Sequence, residues 1–171
     1  MKKQLTVVGV RPIFASILVS VLFFGCFCGG EELYPSFSQY DPVFVATRDL
    51  DESVQLLPAR SVLQSGKIYV YNNLLFVGEK DLGFHVIDNT DTKNPINKHF
   101  VQVTGATDIS VKGDFAYVNQ FTDLLTIRLD FAQGKARVEN RGRNTFPAPL
   151  SPDGFSGPEK KGSVLGDWTI K

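Results

Sequence analysis

The sequence predicts an all-β fold: two antiparallel propeller-blade-like units forming a partial propeller, behind a short helix and a disordered N-terminus. Three observations predict it. Residues 68–77 lie without a gap over residues 109–118, so that Ile68 matches Ile109 and Val77 matches Val118 at a spacing of 41. After a one-residue deletion, residues 83–87 lie over 123–127. A period near ~40 residues with several short strands per unit marks propeller-like arrays. Finally, the repeated runs are rich in β-branched and aromatic residues and are broken by Asn72-Asn73 and Gly113-Asp114, which suit tight hairpin turns.

The totals narrow the function classes. A length of 171 residues suits one domain. Basic and acidic side chains number 18 each, but Lys2, Lys3 and Arg11 precede Cys26, where no acid occurs. The rest of the chain is therefore mildly acidic, which argues against a nucleic-acid partner, since that needs a basic face. Both cysteines, Cys26 and Cys28, end the N-terminal apolar run. That excludes a disulfide framework or a cysteine metal site in the folded part.

Residues 1–25 read as a signal peptide. Lys2 and Lys3 form a positive start, and residues 13–24 form an apolar stretch shorter than the ~20 residues a membrane span needs. The stretch closes on Leu22-Phe-Phe-Gly25-Cys26. This end resembles the lipobox of bacterial lipoproteins, although Phe23 stands where Leu is usual. The resemblance implies cleavage before Cys26 and lipidation of Cys26. Residues 26–42, mixing Gly, Glu, Ser, Pro and Tyr, then read as a lipidated tether, and 43–171 as the β domain.

Along that domain, Thr47 is the expected N-cap of a two-turn helix over 48–54, with Asp49, Asp51 and Glu52 matching the helix dipole. Pro58 and Gly66 bound a loop or an extended crossing into the first strand. Strands are expected at 67–71, 74–77, 84–88 and 99–103. The second unit repeats them at 109–112, 115–119 and 124–129, with a weak fourth strand at 136–139. Leu125, Ile127 and Leu129 should share one face. A last strand is expected within 163–170, with its lone Trp168 filling core.

Candidate chemistry is sparse. His85 and His99 lack ligand spacing to another histidine and read as strand histidines. The cluster from Asp88 to Asn94 lacks the order of a calcium loop and suits Asx turns. Asp108 is expected to bond nearby backbone amides. Lys135, Arg137, Arg141 and Arg143 read as a solvated hairpin. Nucleophile elbows and phosphate loops do not occur. No catalytic, metal or cofactor residue is predicted, and the chain is not expected to be an enzyme.

At residues 105–118 the chain resembles the start of an LVIVD repeat, the blade unit of certain bacterial β-propellers. Residues 83–95 resemble its continuation, with Thr92 where that family often has Pro. The second unit departs further, with Arg128 in place of the aspartate matching Asp88. The layout also resembles the N-terminal part of longer envelope lipoproteins of this family. These resemblances imply a lipid-anchored protein of the bacterial cell envelope. Phe27 is not the aspartate that retains some lipoproteins at the inner membrane, so the outer membrane is favoured. The expected function is a structural or interaction module. The alternatives are a remnant of a longer propeller, or an envelope ligand binder or enzyme. Two units cannot close a ring, so an apolar sheet face is expected to stay open on the second unit. Self-association or a protein partner would follow.

Overall fold

The computed structural model describes residues 37–171. The signal peptide, Cys26 and the tether up to residue 36 lie outside the described residues. The elements follow as β1 (Tyr40–Ala46), α1 (Thr47–Glu52), β2 (Gln55–Pro58), β3 (Ile68–Tyr71), β4 (Leu74–Glu79) and β5 (Gly83–Asp88). Then come β6 (Ile96–Gln102), β7 (Ala106–Lys112), β8 (Phe115–Gln120), β9 (Asp123–Asp130), β10 (Lys135–Gly142) and β11 (Ser163–Ile170). They form three antiparallel sheets: β2-β6-β5-β4-β3, β10-β9-β8-β7 and the ribbon β1-β11.

The two large sheets are the two repeats, and both are meanders because short turns join neighbours. Asn72 opens the β3–β4 turn at φ 52°, and Gly113 opens the β7–β8 turn at φ 60°. These equivalent positions take the same left-handed backbone, one with Asn and one with Gly, the two residue types that tolerate it best. Alternation along the strands then decides the packing. Phe76, Phe84, Val86 and Val101 of the first repeat meet Ile109, Val118, Leu125 and Ile127 of the second in one core. The expected face of Leu125, Ile127 and Leu129 is the one that is buried. β7 lies against its repeat equivalent β3 and against β4, and β10 against the added strand β2, so the two sheets stack on one another. Neither sheet closes on itself, so the body is two stacked blades and not a barrel.

Several elements differ from expectation. The first sheet has a fifth strand, β2, between the expected helix and the stretch that begins at Pro58. It is four residues long and ends in Pro58, too short to show a period, and it sits at the sheet edge, where proline is tolerated. β1 starts at Tyr40, inside the stretch read as tether, because β11 supplies a partner from the other end of the chain. Ala46, not Thr47, is the N-cap of α1 and offers no side-chain acceptor. The Thr47 amide instead donates to the Gly162 carbonyl at 3.0 Å. β10 runs eight residues and crosses a bulge between Val138 and Asn140, which hides its alternation. Trp168 is half-buried and not core: β11 has only β1 beside it, and two strands cannot enclose an indole. Its Nε1 donates to the Pro149 carbonyl at 3.1 Å.

Candidate functional site

Position 41 of the repeat spacing carries the feature that sequence reasoning missed. Glu79 and Gln120 are repeat equivalents at the ends of β4 and β8, and their exposures are 2% and 0%. Each is a buried acceptor facing an arginine, and each fastens a covering segment to its sheet.

Glu79 lies on the outer face of the first repeat. One carboxylate oxygen accepts from the Leu63 amide at 2.6 Å and the Gln64 amide at 3.3 Å; the other takes the Arg60 guanidinium. His85, fully buried, brings Nε2 to 3.3 Å from the same carboxylate. The guanidinium of Arg60 stacks 3.9 Å above the Phe100 ring, and His85 packs against that ring from the sheet at 4.8 Å. Burial raises the Glu79 pKa, but the two amides, His85 and Arg60 together outweigh it and hold the carboxyl below its ordinary value. The site therefore holds an ionised carboxylate and pins residues 60–64 over the outer face.

Gln120 performs the same task for the second repeat. Its amide nitrogen donates to the carbonyls of Leu50 and Thr104 and to Ser53 Oγ, and its oxygen accepts from Arg141 Nη1 at 2.6 Å. Arg141, with a side chain 9% exposed, also contacts Asp123 at 3.0 Å and Asp51 at 3.0 Å. Arg143 reaches the same two acids at 2.9 and 3.3 Å. Thus Arg141, one of the four basic residues read as a solvated hairpin, turns inward, while Arg143 stays exposed and reaches the same acids from the surface. Asp123, 1% exposed, attracts both, since a buried carboxylate requires cationic or amide partners. Asp51 is exposed but serves this network and not merely the helix dipole. Lys135 and Arg137 remain exposed.

The seam between the repeats joins equivalent positions in two of three contacts. Lys67 Nζ meets Asp108 Oδ2 at 2.6 Å, Tyr69 Oη lies 3.4 Å from Ser110 Oγ, and the Gly113 amide donates to Tyr71 Oη at 2.8 Å. Asp108 therefore pairs with a lysine of the other repeat, contrary to the expected backbone bonds. Asn119 takes that task instead: its Oδ1 accepts from the amides of Thr107 and Asp108 across the β7 bulge.

The remaining candidates are structural. Asp88 accepts from the Thr90 hydroxyl and amide, and Asp91 from Lys93 and Asn94, which are the Asx turns expected there. Hydrogen bonds from these neighbours lower both pKa values. His99 stacks on Phe131 at 5.5 Å. Among the described residues no three His, Cys, Asp or Glu side chains gather as metal ligands, and no helix is long and apolar enough to cross a membrane. A cavity of about 800 Å³ opens between the β1-β11 ribbon and residues 144–161, with Phe44, Phe146, Lys160 and Lys161 on its walls.

Comparison with known proteins gives one match. Residues 105–127, spanning β7, β8 and most of β9, match the LVIVD repeat. No curated protein and no solved structure matches the chain. An LVIVD repeat in an all-β body agrees with the blade-like second sheet.

Proposed function

We propose that this protein is a lipid-anchored component of the bacterial cell envelope whose two-repeat β body is a structural or interaction module. The observation that carries the module reading is the outer face of the first repeat. Ile68 and Val70 there are 62% and 61% exposed, and Leu63 beside them 79%. Exposed apolar side chains gathered on a rigid sheet face favour a protein contact. The anchor reading rests on the charged start, the short apolar run and the Gly25-Cys26 junction. Two or more acyl chains on Cys26 would hold the body at a membrane, with the outer membrane favoured by Phe27.

The test of the anchor is Cys26→Ala in the full chain, followed by metabolic labelling with a fatty acid and detergent phase partition. The expected result is loss of label and accumulation of the unprocessed chain. Unchanged processing and partition would overturn the anchor. A ligand-binding reading draws on the cavity with Lys160 and Lys161. Scanning small anions by thermal shift tests it, and a saturable rise in melting temperature removed by Lys160→Ala would favour it.

A further inference from the structure

Among the described residues the longest stretch without strand or helix is 143–162, between β10 and β11. Segments of this length are uncommon in a small domain and usually line a site or stay loose. This one is tied down along its length. The Phe146 amide donates to the Thr122 carbonyl at 2.9 Å, the Ser151 amide to the Phe155 carbonyl at 2.9 Å, and Trp168 Nε1 to the Pro149 carbonyl at 3.1 Å. Asp153 accepts from Ser38 Oγ at 2.9 Å and from the Gln39 amide at 2.7 Å. Pro147, Pro149, Pro152 and Pro158 stiffen the segment further. Where it passes Leu165 and Trp168 it offers Gly157, whose Cβ would lie 2.6 Å from Leu165 Cδ2 and 3.3 Å from Trp168 Cζ2. Between the ribbon and this fixed segment lies the cavity of about 800 Å³, within the ~300–1,000 Å³ typical of small-molecule sites.

Its wall has two kinds of surface. Phe44, Phe146, Val164 and Leu165 are apolar. Lys160 and Lys161 set two ammonium groups against one carboxylate, Glu159, so the wall is net positive. Lys160 Nζ lies 5.1 Å over the Phe44 ring, which puts a cation directly beside the apolar part. Among the described residues neither ammonium has a carboxylate within 4.0 Å. Thr122, 6% exposed, also lines the cavity, and its hydroxyl is buried without a hydrogen-bond partner. An orphaned hydroxyl in a cavity wall is a place for a bound polar atom.

The mixture selects the chemistry of an occupant. An inorganic anion would meet the ammonium groups but leave Phe44 and Phe146 wet. A neutral apolar molecule would cover the rings and strip water from Lys160 without replacing it. A cation would oppose the net charge of the wall. An organic acid satisfies both parts, since its body removes apolar wall from water and its anion takes charge-assisted hydrogen bonds from the lysines.

We infer that the cavity between the ribbon and residues 144–161 binds an organic acid, one anionic group on an apolar body, with the anion at Lys160 and Lys161 and the body on Phe44 and Phe146. The inference rests on the ligand-binding reading of this cavity given above and names the class of ligand. It is independent of the anchor.

Trp168, the one tryptophan of the chain, lies behind the Gly157 wall and serves as reporter. The test is quenching of its fluorescence in the full chain by bromo-octanoate, with competition by octanoate and by naphthoate. The expected result is saturable quenching that one or both acids reverse, and the acid that does so tells an acyl body from an aromatic one. Quenching that does not saturate, that neither acid reverses, or that the bromo-octyl trimethylammonium ion matches overturns the inference. Lys160→Ala changes an exposed side chain, so the fold should persist, as circular dichroism would verify. Its affinity is expected to fall about fivefold, the size of one exposed ion pair. Ala148→Phe, at another exposed wall position, should fill the cavity and abolish saturable quenching. Val70→Lys, on the outer face of the first repeat, should leave the affinity unchanged, which separates the cavity from apolar surface elsewhere. Parent-like binding by Lys160→Ala or Ala148→Phe, or lost binding in Val70→Lys, overturns the inference. Melting temperatures separate it from the broader reading. A rise with inorganic phosphate as large as with octanoate keeps the ligand-binding reading and overturns the organic acid, whereas no rise with either overturns both.

Discussion

At the scale of single residues, backbone conformation and buried charge make different demands. Gly113 has φ 60°, and a Cβ there would meet no atom within 4 Å. Gly113→Val therefore costs only the left-handed backbone, about 1–2 kcal/mol, read as a lower urea midpoint; a variant melting with the parent would refute the strain. Gly83 has φ 137°, and a Cβ there would lie 2.1 Å from the Val101 carbonyl oxygen. Gly83→Ala is consequently expected to be the more damaging change despite its smaller side chain, because β5 and β6 must separate. Equal melting temperatures for the two variants would contradict this. Glu79 sets an acid limb. Its folded pKa lies below the ordinary 4.5, so its stabilisation is complete above that value and disappears as pH falls through the folded one. Glu79→Gln, which installs the residue of the second repeat, should flatten this limb in urea titrations between pH 3 and 7. An unchanged slope would mean that Glu79 is not the group titrating.

At the scale of elements, the clamps decide which segments cover which sheet. Removing Arg141 leaves Asp123 buried with only the exposed Arg143 and the Asn144 amide as partners. Breaking a buried pair from one side costs about 3–5 kcal/mol, and the lower half of that range is expected because Arg143 remains. Arg141→Ala should also free α1, which Gln120 and Asp51 tie to the same network. Hydrogen exchange at residues 50–53 is the readout, and unaltered protection there would show that α1 is held by other contacts. Strand order makes a related prediction. β4, β5, β6, β8 and β9 each have a neighbour on both sides, whereas β1 and β11 have only each other. Amides of the ribbon should exchange well before those of the five inner strands. Equal protection across both groups would show that ribbon and blades open as one unit.

At the scale of the whole molecule, the two repeats are alike in sequence yet unlike in surface. The seam uses the same positions from both sides, as Lys67 with Asp108 and Tyr69 with Ser110 show. Such packing passes one face of each unit to its neighbour and leaves one face at each end. Lys112 and Arg128 make the far end a solvated surface, while Ile68 and Val70 leave the near end apolar. The two ends of the stack therefore show an asymmetry of surface. It explains why a search for open surface in the sequence alone settles on the wrong unit. Residues 37–62 look free to cover the first repeat, but β2 joins its edge and β1 pairs with β11.

The all-β class, the repeat, both hairpin turns and the inward face of Leu125, Ile127 and Leu129 follow from the sequence itself. They depend on local spacing: an alternation of two, a turn of two residues and a period of 41. The pairing of β1 with β11, the edge position of β2 and the ion pairs of Arg141 and Arg143 were decided only by tertiary structure. Each joins residues far apart in the chain, such as Tyr40 with Ile170 or Asp51 with Arg143, and leaves no periodic mark in either segment. The Glu79 and Gln120 clamps stand between the two cases. Their equivalence is written in the repeat spacing, but a lone Glu or Gln at a strand end ordinarily faces water. Its burial becomes visible only when Arg60 and Arg141, from outside the repeated segments, are folded against it.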